Sequence, residues 1–92
     1  MTKRTLFALG QVVSTQTALR FAEAEHIDLH ALLIRHHCGD WGDVCEEDRE
    51  SNEEALLMQL RIMSSYNFSH DKIWIITEAD RSVTTILLPN DY

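Results

Sequence analysis

The sequence predicts an α+β domain, with helices through the middle of the chain and a mostly antiparallel sheet finished at its C-terminal end. Three observations predict it. Lys72–Tyr92 reads KIWIITEADRSVTTILLPNDY, two runs rich in β-branched and aromatic residues around the polar linker Thr77–Ser82. Between Thr17 and Ile62 the apolar residues fall at helical spacing behind recognisable cap residues. Thr5–Ser14 is a short apolar run holding the pair Val12-Val13. The expected order is β-α-α-α-β-β-β, one domain over residues 1–92 with the sheet packed on the helices.

The elements are justified in turn. Thr5–Ser14 suits a strand bent or bulged at Gly10. Ser14 or Thr15 can cap a helix over Thr17–Glu25, where Ala18, Leu19 and Ala22 form the apolar stripe and His26 takes the terminating position. Asp28 caps a second helix whose Leu29, Leu32, Leu33 and His36 share one face. Arg35, His36 and His37 complement the negative end of that helix, and Gly39 stops it. In Gly39–Asp43 (GDWGD) a turn is expected. Asp43 with Glu46 offers a capping box for the third and longest helix, and Cys45 with Asp48 a competing start. That helix is expected to reach about Ile62 and to be buried by Ala55, Leu56, Leu57, Leu60 and Met63.

Ser64–Phe68 reads as a strand, Ser69–Asp71 as a turn, and Lys72–Thr77 with Ser82–Leu88 as a hairpin stopped by Pro89, which cannot donate to a ladder. Ile73 and Ile75 alternate with Trp74 and Ile76, so both faces of the hairpin are apolar. It is therefore expected near the centre of the sheet, covered on each side by helix or partner.

Composition narrows the function classes. Hydrophobic content of 45% with three glycines and one proline is that of a globular chain, not a disordered one. A core this small leaves net stability on the order of 5–10 kcal/mol, so a partner or a homodimer could contribute. The net charge of −7 argues against direct nucleic-acid binding, which depends on neutralising phosphates with Lys and Arg. No apolar run is long enough for a membrane span, and the basic start of Met1–Gly10 precedes an apolar stretch too short for a signal peptide, so a cytoplasmic location is expected. Cys38 and Cys45 are not in a C-x-x-C pair and read as ordinary reduced thiols.

No chemistry is announced by a strong motif. His30, His36, His37 and Cys38 cluster, but without the i,i+4 spacing of a helical chelate, and no metal or cofactor is expected. Asp40, Asp43, Glu47, Asp48, Glu78 and Asp80 are the carboxylates available for acid–base or metal-assisted work; capping and a polar hairpin tip explain them as well. Glu46–Glu54 holds six carboxylates in nine residues, either a solvated helix face or a docking face for a basic surface. Trp41 suits an anchor in the turn between helices, and Arg81 suits local pairing with Glu78 or Asp80, or the grip of an anion.

The segments LFALGQVVST, GDWGD with its acid-rich helix, SSY and IWIITEADRSVTTILLP together resemble a family of small proteins carried on plasmids and integrative elements of Proteobacteria. The resemblance spans nearly the whole chain. Asp40, Trp41, Asp43, Asp48, Asn52, Tyr66, Glu78, Asp80 and Arg81 match the family's polar pattern; His26, Cys38 and Cys45 depart from it. Some members are labelled methylation subunits of type I restriction systems, but this chain has no room for a methyltransferase domain and no glycine-rich cofactor loop. The resemblance implies an accessory role such as countering host defence, and no catalytic residues. Two readings follow. One is a non-enzymatic module that binds a protein partner through an acidic face. The other is a small enzyme or ligand binder with its site where the GDWGD turn meets the TEADRS tip.

Overall fold

In a computed structural model that describes Arg4–Tyr92, the expected element order is the observed one. Met1–Lys3, which carry part of the basic N-terminal flank, lie outside the described residues. Strand β1 (Gln11–Ser14) leads into helices α1 (Gln16–Glu25), α2 (Leu29–His37) and α3 (Glu46–Met58). Strands β2 (Ile62–Asn67), β3 (Lys72–Thr77) and β4 (Val83–Leu87) follow, and the single turn of 3-10 helix Pro89–Asp91 comes last. The sheet order is β1-β4-β3-β2, so the hairpin β3–β4 is central as expected. The β2–β3 and β3–β4 pairs are antiparallel, and β1 runs parallel to β4 with Gln11 opposite Val83.

The caps of α1 and α2 act where the sequence places them. The Thr15 side chain accepts from the Ala18 N–H, and Asp28 accepts from Ala31. His26 closes α1 in the left-handed region at φ 56°. Inward-facing Ile73, Ile75, Ile86 and Tyr66 from the sheet meet Ala18 of α1 and Leu32 of α2 in the main core. A second cluster, Trp41, Ala55 and Ile62, joins α3 to the β2 side of the sheet with Phe7, Val44 and Leu56 packed around it. On the opposite sheet face, with Trp74, Ile76 and Leu87, the ring of Tyr92, just past the Pro89–Asp91 turn, meets Trp74 edge-on at 6.1 Å.

Four expectations are not met. The N-terminal strand spans only Gln11–Ser14; Thr5–Leu9 is irregular because it threads between α2 and the hairpin. There Leu6 donates to the His37 carbonyl (3.0 Å), and Leu9 accepts from the Thr84 hydroxyl (2.7 Å). Gly10 makes the change of direction at φ 65°, where a Cβ would overlap the Ser82 carbonyl. Helix α3 stops at Met58, with Gln59 left-handed at φ 53°, rather than near Ile62. It is also mostly solvated: Asn52 and Ala55 are buried, but Leu57 is 86% exposed and Leu60 is 50% exposed. Finally, Asp43 does not cap α3. The N-cap is Cys45, with no side-chain bond, because the Asp43 carboxylate is engaged by β2.

Candidate functional site

Strand β2 lies at the sheet edge, and its outward backbone groups are those of Met63, Ser65 and Asn67. Their three N–H groups and the carbonyls of Met63 and Ser65 are satisfied without another strand. The Asn52 amide of α3 reads Met63 twice, Nδ2 donating to its carbonyl (2.7 Å) and Oδ1 accepting from its N–H (3.1 Å). The GDWGD turn lies alongside Ser65: the Ser65 N–H donates to the Trp41 carbonyl (3.1 Å), and the Asp43 N–H to the Ser65 carbonyl (2.6 Å). The Asp43 carboxylate then takes the Asn67 N–H (2.8 Å). This close approach needs Gly42 at φ 79°, since a Cβ there would overlap the Ser65 carbonyl.

The rest of the turn is fastened to α2 and α3. Asp40 forms a two-pronged ion pair with Arg35 (2.7 and 3.3 Å), and the hydrogen bond holds the guanidinium above its ordinary pKa. Arg35 also lies over the Tyr66 ring at 4.6 Å, while the Tyr66 hydroxyl donates to the Asp40 carbonyl (2.7 Å). Burial pushes the Tyr66 phenol up to about 12. Trp41, 3% exposed, gives its indole N–H to Glu53 (2.8 Å). Trp41 is thus the anchor its sequence context suggests.

At the other end of the hairpin the tip is also internally engaged. Asp80 accepts from the Ser82 N–H (3.0 Å) and hydroxyl (2.6 Å), a local turn that holds its carboxyl below the usual range. Arg81, left-handed at φ 62°, turns back to α3 and donates to the carbonyls of Ala55 (3.0 Å) and Leu60 (2.7 Å). It serves the negative end of that helix instead of a carboxylate or an anion. Glu78 joins the tip through its backbone, donating to Val83 (3.0 Å) and accepting from Arg81 (2.9 Å). Asp48 is exposed in the first turn of α3.

Asp48 apart, the structure therefore splits the predicted residues into two groups. Asp40, Trp41, Asp43, Asn52 and Tyr66 close the β2 edge; Glu78, Asp80 and Arg81 build the tip. Asp43 bonds at Asn67, opposite Lys72, whereas the tip leaves from Thr77, opposite Ile62. Five residues of strand, about 17 Å, separate those levels. The ring of Phe7 bridges part of the gap, stacked on Trp41 at 6.1 Å with the Arg81 guanidinium 5.7 Å away, and it carries no reactive group.

A polar constellation that the motif reading passed over lies in the core. His36 is fully buried between Ser64, bonded to Nδ1 (2.6 Å), and Thr77, bonded to Nε2 (2.9 Å). Thr77 bonds Thr84 (2.7 Å), whose hydroxyl donates to the Leu9 carbonyl (2.7 Å). That last bond fixes the rest. Thr84 has spent its proton, so Thr77 donates to it and accepts from Nε2–H, leaving Nδ1 to accept from Ser64. The imidazole is neutral, and burial pulls its pKa down to about 3. The signal was present in the strand alternation, which sets Thr77 on the face of Ile73 and Ile75 and Thr84 on that of Ile86. His37, by contrast, bonds the Phe7 carbonyl through Nε2 (2.8 Å), so the neighbouring imidazoles serve different partners.

Cys38 and Cys45 are free thiols. Among the described residues no helix is long and apolar enough to cross a membrane. No protein-family model, curated protein or solved structure matches this chain.

Proposed function

We propose that this chain is a non-enzymatic accessory protein that binds a protein partner through the outer face of α3. One observation carries the reading. Glu47, Glu50 and Glu54 are exposed on the side of α3 opposite the buried Asn52 and Ala55, so the acidic residues form a continuous stripe facing away from the body of the protein. The carboxylates of Asp40, Asp43 and Asp80 are meanwhile engaged with Arg35, Asn67 and Ser82. A strip of like charge on a rigid helix suits recognition of a basic protein surface, where it speeds encounter and disfavours wrong partners. The same charge disfavours nucleic acid.

The resemblance of GDWGD and IWIITEADRS to proteins of plasmids and integrative elements supports a cytoplasmic partner drawn from host defence, a restriction or CRISPR component. The test is affinity capture from a host bearing such systems, using the wild-type chain and a variant reversed at Glu47, Glu50 and Glu54 to lysine. Retention of a defence component by the wild type alone is expected. The absence of any specific partner, or capture indifferent to the reversal, overturns the proposal.

A further inference from the structure

The acidic stripe ends in an unusual place. Leu57 and Met58, the last residues of α3, are 86% and 64% exposed, and Leu60 beyond the cap is 50% exposed. At about 100° per residue, Glu47, Glu50, Glu54, Leu57 and Met58 all fall within roughly 100° of arc. The three carboxylates thus lead along one face, over about 15 Å, to an apolar knob. The backbone beneath the knob is pinned: Gln59 terminates the helix in the left-handed region, and Arg81 clamps the carbonyls of Ala55 and Leu60 from the hairpin tip. Large apolar side chains held out in water on a fixed backbone, beside a strip of one charge, mark an interaction surface, because only their rotamers remain to be ordered on contact.

We infer that Leu57, Met58 and Leu60 form the anchor of this surface, and that its occupant is a partner protein with an apolar pocket flanked by lysine or arginine. The inference rests on the acidic-face reading and adds the chemistry of the partner. Charge complementarity selects that occupant. A second copy of this chain would bring one glutamate stripe against another, and a purely apolar partner would leave the stripe unanswered. The two parts divide the work. The stripe governs encounter and salt dependence, whereas the knob governs how long the complex lasts.

The test uses an amphipathic helical peptide with leucines on one face and lysines flanking them, alongside a control in which the leucines are glutamine. Leu57→Ser/Met58→Ser is expected to weaken the leucine–lysine peptide roughly ten- to a hundredfold, chiefly through faster dissociation. The same variant should leave weak, salt-sensitive binding of the glutamine control unchanged. Because both side chains are exposed, the variant should keep the wild-type melting temperature. Unaltered affinity for the leucine–lysine peptide overturns the apolar anchor. If charge reversal along α3 still abolishes binding in that case, the acidic-face reading stands without it. A concentration-dependent dimer in sedimentation that the serine variant abolishes would assign the knob to a second copy and also overturn the inference.

Discussion

His36 shows how one residue can tie the layers together at the expense of acid tolerance. Its neutral ring links α2 to β2 through Ser64 and to β3 through Thr77, and the chain of hydroxyls continues to β4 and the Leu9 carbonyl. Among the described residues no buried side-chain polar atom lacks a partner, so this network is closed. Its folded pKa of about 3 lies below the ordinary histidine value of 6.5. Below pH 6.5 the unfolded chain therefore takes up a proton that the folded chain refuses, and stability falls by about 1.4 kcal/mol per pH unit until pH approaches 3. Urea unfolding should register a loss of about 1.6 kcal/mol between pH 6.5 and pH 5. In His36→Leu this slope should vanish, while stability at neutral pH drops by about 2–4 kcal/mol because Ser64 and Thr77 are left unpaired. A slope retained in the leucine variant would refute the assignment. This residue was half legible in the sequence. Spacing placed it at the end of an apolar stripe, but its partners come from strands 28 and 41 residues away, and no local pattern reports them.

At the scale of elements, the GDWGD turn and α3 are best understood together with the strand they protect. An open sheet edge invites pairing with other chains, and here Asn52, Trp41 and Asp43 occupy the outward N–H groups of β2 and the carbonyls of Met63 and Ser65. Asn52→Leu should cost about 2–4 kcal/mol, by leaving the Met63 N–H and carbonyl unsatisfied, and should give concentration-dependent association detectable by light scattering. A variant that is destabilised but strictly monomeric would show that the turn alone suffices to guard the edge. Arg81→Met should act on α3 from the other side, lowering stability by about 1–2 kcal/mol and speeding amide exchange in the last turn of the helix. Exchange in β2–β4 should change only by the global amount. The caps of α1 and α2 and the hairpin were legible in the sequence, because those signals are local. Sequence reasoning extended α3 too far and buried Leu57 and Leu60, because apolar spacing alone cannot say which side of a helix meets a partner element. It also assigned Asp43 to a capping box, since the competing N–H of Asn67 lies 24 residues downstream.

For the whole molecule, the C-terminal turn is fastened back to the start of the first helix. Asp91 accepts from the hydroxyls of Thr15 (2.7 Å) and Thr17 (2.5 Å) and from the Leu88 N–H (2.9 Å), so the Pro89–Asp91 turn is latched to the start of α1. Led by the Thr17 bond, these contacts hold its carboxyl below the usual range. The latch is complete above the ordinary carboxylate pKa and is lost as pH falls through the lowered folded value. Asp91→Ala should lower the melting temperature at neutral pH, with the difference from wild type closing in strong acid; a constant difference would argue against the latch. Fold class and element order were legible because the β-rich C-terminal runs and the capped helices each carry their own pattern. The position of β1 was not, because nothing in Gln11–Ser14 indicates that its neighbour is β4. That pairing orders events in time as well as space. The Thr84–Leu9 bond that accompanies it spans 75 residues, whereas β2, β3 and β4 meet through short turns. During synthesis the three-stranded meander should assemble first, with the N-terminal segment waiting, undocked, until β4 has left the ribosome.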